Sequence, residues 1–175
     1  VFRARCVHRQ VYESESPRYG CLDAPLSPSL ASYLDQCGIR LYSHQCETIN
    51  HARAGKNVIL TTATASGKTL AFNLPVFCHL EQDPDARALY LYPTKALAND
   101  QLLSLEQMAQ YTGITAKSAI YDGDTPQSKR AAIREHSRVI ISNPHEVHYV
   151  LSWHAKWQPF LSNLDYIVID EAHRY

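Results

Sequence analysis

The stretch Thr61-Thr-Ala-Thr-Ala-Ser-Gly-Lys-Thr69 decides how the rest of the chain is read. It follows an apolar run, Val58-Ile-Leu60, and leads into Leu70-Ala-Phe-Asn-Leu74, which suits a helix. A strand that turns directly into a helix leaves the first helical N–H groups without intrahelical partners, and these make a ready anion site. In such a loop the N–H groups of Thr64, Ala65, Ser66 and Gly67 would cradle a β-phosphate. Lys68 would neutralise the β/γ oxygens, and the Thr69 hydroxyl would ligate Mg²⁺. The usual pattern is GxxxxGK[ST], but here Thr62 holds the first glycine place and Ala65 sits where a further glycine is common. A left-handed backbone costs a non-glycine residue about 1–2 kcal/mol, so the reading expects ordinary dihedrals at Thr62 and Ala65. Taken alone, the stretch also fits a strand-to-helix turn that happens to contain Gly-Lys-Thr.

Outward from this loop the chain alternates short β-rich runs with longer helical ones. Expected strands are Val58–Thr62, Ala88–Tyr92, Ala116–Tyr121, Arg138–Ser142 and Tyr166–Asp170. Expected helices are Ser29–Cys37, Ser43–Ala54 (capped by Ser43 and stopped by Gly55), Gly67–Leu80, Lys95–Tyr111, Pro126–His136 and His145–Leu151. Such alternation predicts an α/β domain with a mostly parallel sheet covered by helices on both faces, and ligands at the carboxyl ends of its strands. Residues 1–30, with turn formers and no clear period, read as an irregular lead-in; residues 31–175 read as the domain.

A second motif bears on the same site. Tyr166-Ile-Val-Ile-Asp-Glu-Ala-His173 is a buried-strand pattern ending in adjacent carboxylates. Asp170 is placed to hold Mg²⁺ through water, and Glu171 to orient and deprotonate a water attacking a γ-phosphate. A strand ending in a solvated Asp-Glu pair is common, but its coincidence with the Gly-Lys-Thr turn favours a nucleotide site, with Lys68, Asp170 and Glu171 as the catalytic set.

Composition narrows the class. The 175 residues can bury about 70% of their unfolded surface, enough for one core. Seventeen Lys+Arg balance seventeen Asp+Glu, so there is no global basic field and any polyanion must be held by local features. The five cysteines, Cys6, Cys21, Cys37, Cys46 and Cys78, contain no CxxC pair, which disfavours a zinc knuckle or disulfide framework. A reducing compartment, cytoplasmic or nuclear, is expected, and no apolar run is long enough to span a bilayer.

The chain resembles superfamily 2 helicases of the DEAD/DEAH-box type, and within them the Hrq-type, RecQ-related branch. The resemblance runs from about Leu22 to Tyr175. It rests on Gly38-Ile-Arg-Leu-Tyr-Ser-His-Gln45, Thr64-Ala-Ser-Gly-Lys-Thr-Leu70, Tyr92-Pro-Thr-Lys-Ala-Leu-Ala98, Tyr121-Asp-Gly-Asp-Thr-Pro126, Ser142-Asn-Pro144 and Asp170-Glu-Ala-His-Arg-Tyr175. It implies a first RecA-like domain, ATP with Mg²⁺, a single-stranded DNA partner, and a second RecA-like domain that this chain, ending after Asp-Glu-Ala-His, would lack.

The resemblance assigns further roles. Gln45 would read the adenine edge, with Tyr42 or Leu41 packing on the base. Pro93, Thr94 and Lys95, then Gly123 and Thr125, then Asn143 and Pro144 would line one track along a nucleic-acid backbone. His173 would couple the nucleotide site to that track and to the partner domain. Lys129, Arg130, Arg134 and Arg138 form a basic cluster that is either a solvated face or a strand contact. Trp153, Trp157 and Phe160 are expected to pack under the strand carrying the carboxylates, and His145 and His148 lack a third metal ligand. The resulting expectation is the motor domain of an ATP-dependent DNA helicase. An RNA helicase domain, or a nucleotide- and strand-binding module without turnover, are the alternatives.

Overall fold

The computed structural model describes residues 16–62, 66–152 and 154–175, with the Leu151 side chain left undescribed. Four strands, β1 (Arg87–Leu91), β2 (Ser118–Ile120), β3 (Val139–Ser142) and β4 (Leu164–Ile169), form one parallel sheet in the order β2-β3-β1-β4. The helices are α1 (Pro28–Gln36), α2 (Ser43–Arg53), α3 (Lys68–Gln82), α4 (Lys95–Thr112), α5 (Gln127–His136), α6 (Pro144–Leu151) and α7 (His154–Leu161). Each strand-to-strand connection is helical, as parallel pairing demands.

Alternation along the strands divides the core in two. Ala88, Tyr90, Val139 and Ile141 enter a larger cluster with Leu30, Ile49, Leu74, Phe77 and Leu105 of α1–α4. Leu89, Leu91 and Ile140 enter a smaller one with Val150, Trp157 and Phe160. Helices therefore cover both faces of the sheet, as expected. Burying a side chain such as Phe77 or Leu74 in full contributes about 1.5–3 kcal/mol each.

Several expectations are corrected. Val58–Thr62 forms no strand: Val58–Leu60 pairs with no described residue, and Ile59 is 92% exposed. A strand needs a ladder partner, and among the described residues β4 is the sheet edge, with Ile167 and Ile169 exposed. Ser43 does not cap α2 but begins it; the turn is closed by the Gln45 side chain, which accepts from the Tyr42 N–H at 2.8 Å. Helix α7 was not anticipated, because it is short and contains Pro159. Its Trp157 and Phe160 pack under the central strands through Leu89, Leu91 and Ile140, with Leu164 of β4 only at the margin. Trp153 lies outside the described residues.

The direction of α3 positions the site. Asn73, near its start, meets Tyr90 near the carboxyl end of β1, with Tyr90 Oη 3.0 Å from Asn73 Oδ1. Near its other end, Leu80 O accepts from Arg138, just before β3, and His79 lies 3.4 Å from Asp165 at the start of β4. The N-terminus of α3, and with it Lys68, therefore stands at the carboxyl edge of the sheet.

Candidate nucleotide and nucleic-acid site

Gly67 caps α3 with φ +76°, and the helix opens with Lys68 and Thr69 and no acidic residue in its first turn. That leaves N–H groups and the positive end of a 15-residue helix facing the loop. Thr62 has no left-handed backbone, as expected, whereas Thr64 and Ala65 lie outside the described residues, so the expected dihedral at Ala65 does too. Lys68 Nζ donates to Thr62 O at 2.9 Å, and the Thr62 and Ser66 hydroxyls are 2.6 Å apart, so the two rims of the loop are tied together.

Gln45 is 3% exposed, and its amide joins two elements. Its oxygen takes the Tyr42 N–H, and its nitrogen donates to Gly67 O at 2.9 Å. One N–H and one lone pair remain for a further partner. Beside it opens a cleft of about 490 Å³ lined by Tyr19, Arg40, Tyr42, Gln45, Gly67 and Thr69 among others, within the size range of small-molecule sites. Leu41 is buried in the core, so of the two residues expected to pack on a base it is Tyr42 that lines the cleft, its ring near-parallel to both Tyr19 and His44. Tyr19 and Arg40 were missed by sequence reading: the Arg40 guanidinium lies 4.1 Å from the Tyr19 ring centre, and Tyr19 is bridged to Tyr42.

The two carboxylates follow β4. Asp170 extends the ladder by donating its N–H to Leu91 O at 3.1 Å, and its Oδ1 accepts from the Glu171 N–H at 2.9 Å. Glu171 adopts φ +51°, ψ +40°, a left-handed conformation unusual for a glutamate, and its carboxylate lies 3.4 Å from His173 Nδ1. Burial, and then the neighbouring Asp170 and Tyr175 charges, push the Tyr92 phenol far above its ordinary range. Tyr92 is thus a neutral hydroxyl beside Asp170.

The three other loops also lie at carboxyl ends. Thr94 caps α4 by accepting from the Leu97 N–H at 3.3 Å, and Asn143 caps α6 by accepting from the Glu146 N–H at 2.9 Å, with Pro144 as its first residue. In the loop after β2, Thr125 Oγ1 accepts from the Asp122 N–H at 2.9 Å, and Gly123 is exposed. Pro93 lies in the first of these loops, and Lys95, the first residue of α4, pairs with Asp124 of the second. The expected basic cluster is largely turned inward. Arg138 holds Leu80 O, Thr115 O and Asp83 O, Arg134 reaches the Tyr121 hydroxyl at 3.1 Å, and Lys129 alone of the four is exposed. No cluster of three metal-ligating side chains occurs among the described residues.

A model of the DEAD/DEAH box helicase family matches residues 42–175. The chain belongs to this family. The helicase domain is 46% identical over 136 residues to the uncharacterized ATP-dependent helicase YprA of Bacillus subtilis, covering 77% of this chain and 18% of that protein. It is 36% identical over 177 residues to the ATP-dependent helicase HRQ1 of Saccharomyces cerevisiae, covering 99% of this chain and 16% of the relative. Among solved structures, the DUF1998 helicase MrfA bound to DNA and AMPPNP superposes with a TM-score of 0.89 at 40% identity, over 94% of this chain and 23% of that one. The fold is the RecA-like α/β fold of such helicases, and the chain spans less than a quarter of the length of these relatives.

Proposed function

We propose that this chain is the first motor domain of an ATP-dependent DNA helicase that couples ATP hydrolysis to movement along a single strand. One observation carries the reading: the N-terminus of α3, the Asp170-Glu171 pair and three loops that begin or precede helices all stand at one edge of one parallel sheet. The helix start with its lysine and hydroxyl, next to a cleft walled by Tyr42 and Gln45, suits a nucleoside triphosphate with Mg²⁺. Such a ligand supplies the phosphoryl group whose transfer to water releases the free energy of the cycle.

The chain's own groups have distinct tasks in this reading. Lys68 with the N–H groups of Ser66 and Gly67 would hold phosphate oxygens, and Thr69 and Asp170 would hold the metal. Glu171 takes the proton of the attacking water, and Gln45 offers its remaining N–H and lone pair to the base. Thr94, Lys95, Gly123, Thr125 and Asn143 face the strand, with Pro93 and Pro144 setting their loops. His173, paired with Glu171, links the two sites. A second RecA-like domain would supply an arginine worth on the order of 10³–10⁵ in rate, so the 175-residue chain alone should hydrolyse ATP poorly. The free Cys21, Cys37, Cys46 and Cys78 suit a reducing compartment, cytoplasmic or nuclear.

The MrfA structure, solved with DNA bound, supports DNA over RNA. The test is ATP turnover by the full-length parent with single-stranded DNA, RNA or neither. DNA-stimulated turnover that Lys68→Ala abolishes is the expected result. Stronger stimulation by RNA would turn the reading to an RNA helicase, and no turnover under any condition would leave only a binding module.

A further inference from the structure

Arg130 belongs to the basic run that sequence reading offered to a nucleic-acid strand, yet its guanidinium is fully engaged within the protein. It carries five N–H donors. Nε donates to Thr125 O at 3.0 Å, and Nη2 donates to Asp122 O at 2.8 Å and, more weakly, to Gly123 O at 3.5 Å. Nη1 donates to Glu146 Oε1 at 3.0 Å and lies 3.5 Å from the Tyr121 hydroxyl, while the guanidinium carbon stands 4.9 Å from the Tyr121 ring centre. No donor is left over for a phosphate.

What these bonds hold together is more telling than their number. Three carbonyls, Asp122, Gly123 and Thr125, are the backbone of the loop after β2, and one cation gathers all of them. Glu146 is 8% exposed and sits in the first turn of α6, where its own N–H is received by Asn143, the cap of the loop after β3. The Arg130–Glu146 pair therefore fastens the second loop to the third. Both partners are mostly shielded from water, which sets the pair apart from the open Lys95–Asp124 contact and makes it more than a screened surface bridge.

We propose that Arg130 is a positioning residue that, through Glu146, holds the Asp122–Thr125 and Asn143–Pro144 loops in the relative placement that receives a nucleic-acid backbone. It is not itself a phosphate ligand. The inference rests on the strand-binding reading above. A lysine cannot replace it, because one ammonium offers three donors from a point and cannot span a carboxylate and three carbonyls as the planar fork does.

The test uses the full-length parent and a fluorescein-labelled oligothymidine, with anisotropy read at several salt concentrations and folding checked by thermal melting. Arg130→Lys preserves the charge but removes the fork. The expected result is about a tenfold loss of affinity, the scale of one charged hydrogen bond, with the slope of log K against log salt unchanged. Binding by R130K within twofold of wild type overturns the inference while leaving the strand-binding reading intact. So does a slope reduced by about 0.7 in Arg130→Gln, which removes the charge, since that is the signature of one lost phosphate contact on a single strand. A wild-type parent that binds no strand overturns both. Should R130K fail to fold, Glu146→Gln decides. Positioning predicts weaker binding even though a negative charge has been removed, whereas a phosphate-contacting Arg130, released from its carboxylate, predicts tighter binding.

Discussion

Gly67 stands at φ +76°, and a Cβ built on it would lie 2.5 Å from Gln45 Nε2. Two independent costs therefore fall on Gly67→Ala: the left-handed backbone, about 1–2 kcal/mol, and displacement of the amide that fastens the loop to α2. Nucleotide affinity, measured by titration calorimetry, is expected to fall at least about tenfold. Gly113 offers the contrast, since it has φ +72° with nothing within 4 Å of its would-be Cβ. Gly113→Ala should lower stability by about 1 kcal/mol in denaturant melts while nucleotide affinity stays the same. At this scale the sequence pattern placed Lys68 and Thr69 at the start of a helix and Asp170 and Glu171 at the end of a strand, and the structure has them there. The pattern hid Tyr19 and Arg40, because the meeting of Tyr19 with both Arg40 and Tyr42 depends on how the chain ahead of α1 folds back. The left-handed Glu171 was equally hidden, since nothing in the composition of Asp-Glu-Ala-His calls for it.

Among elements, the helix starts were the most legible feature, because capping is local chemistry. Ser27, Thr94 and Asn143 each accept from an N–H three residues on, and the expected helix starts all fall within one residue of those observed, although Ser43, the cap expected for α2, instead begins it. Contacts between elements were not readable. Asn73 of α3 is almost fully buried, and its Oδ1 receives both the Tyr90 hydroxyl of β1 at 3.0 Å and Gln101 Nε2 of α4 at 2.9 Å. This knot joins the helix that follows the nucleotide loop to the helix that follows the Thr94–Lys95 turn. Tyr90→Phe removes one donor and leaves the other in place, so equilibrium unfolding in urea should show a loss of about 1 kcal/mol with an unchanged m-value. The failure of Val58–Thr62 to form a strand has the same origin. Its β-branched composition is suitable, but β structure is completed by a neighbour, and none of the described strands lies beside it.

For the whole molecule, stability is unevenly distributed. Helices α3 and α4 and strands β1 and β3 supply most of the buried side chains, whereas α5 buries none and is held largely by its arginines. Hydrogen exchange followed by mass spectrometry should therefore find α5 among the least protected helices and β1 and β3 the most protected strands. Equal protection of α5 and α3 would contradict this picture. The alternation of period-two and helical runs determined, without any structure, that the chain forms a parallel sheet with helices on both faces and the candidate site residues at its carboxyl edge. Such patterns record local geometry and the need to bury one side of each element, so they can be read in one dimension. Only the tertiary structure decided the strand order, the packing of α7 under the central strands and the inward engagement of Arg130, Arg134 and Arg138. Those outcomes depend on which distant carbonyls, rings and carboxylates come within bonding distance once the layers close, and a basic run looks the same in sequence whether its charges face water or the protein's own backbone.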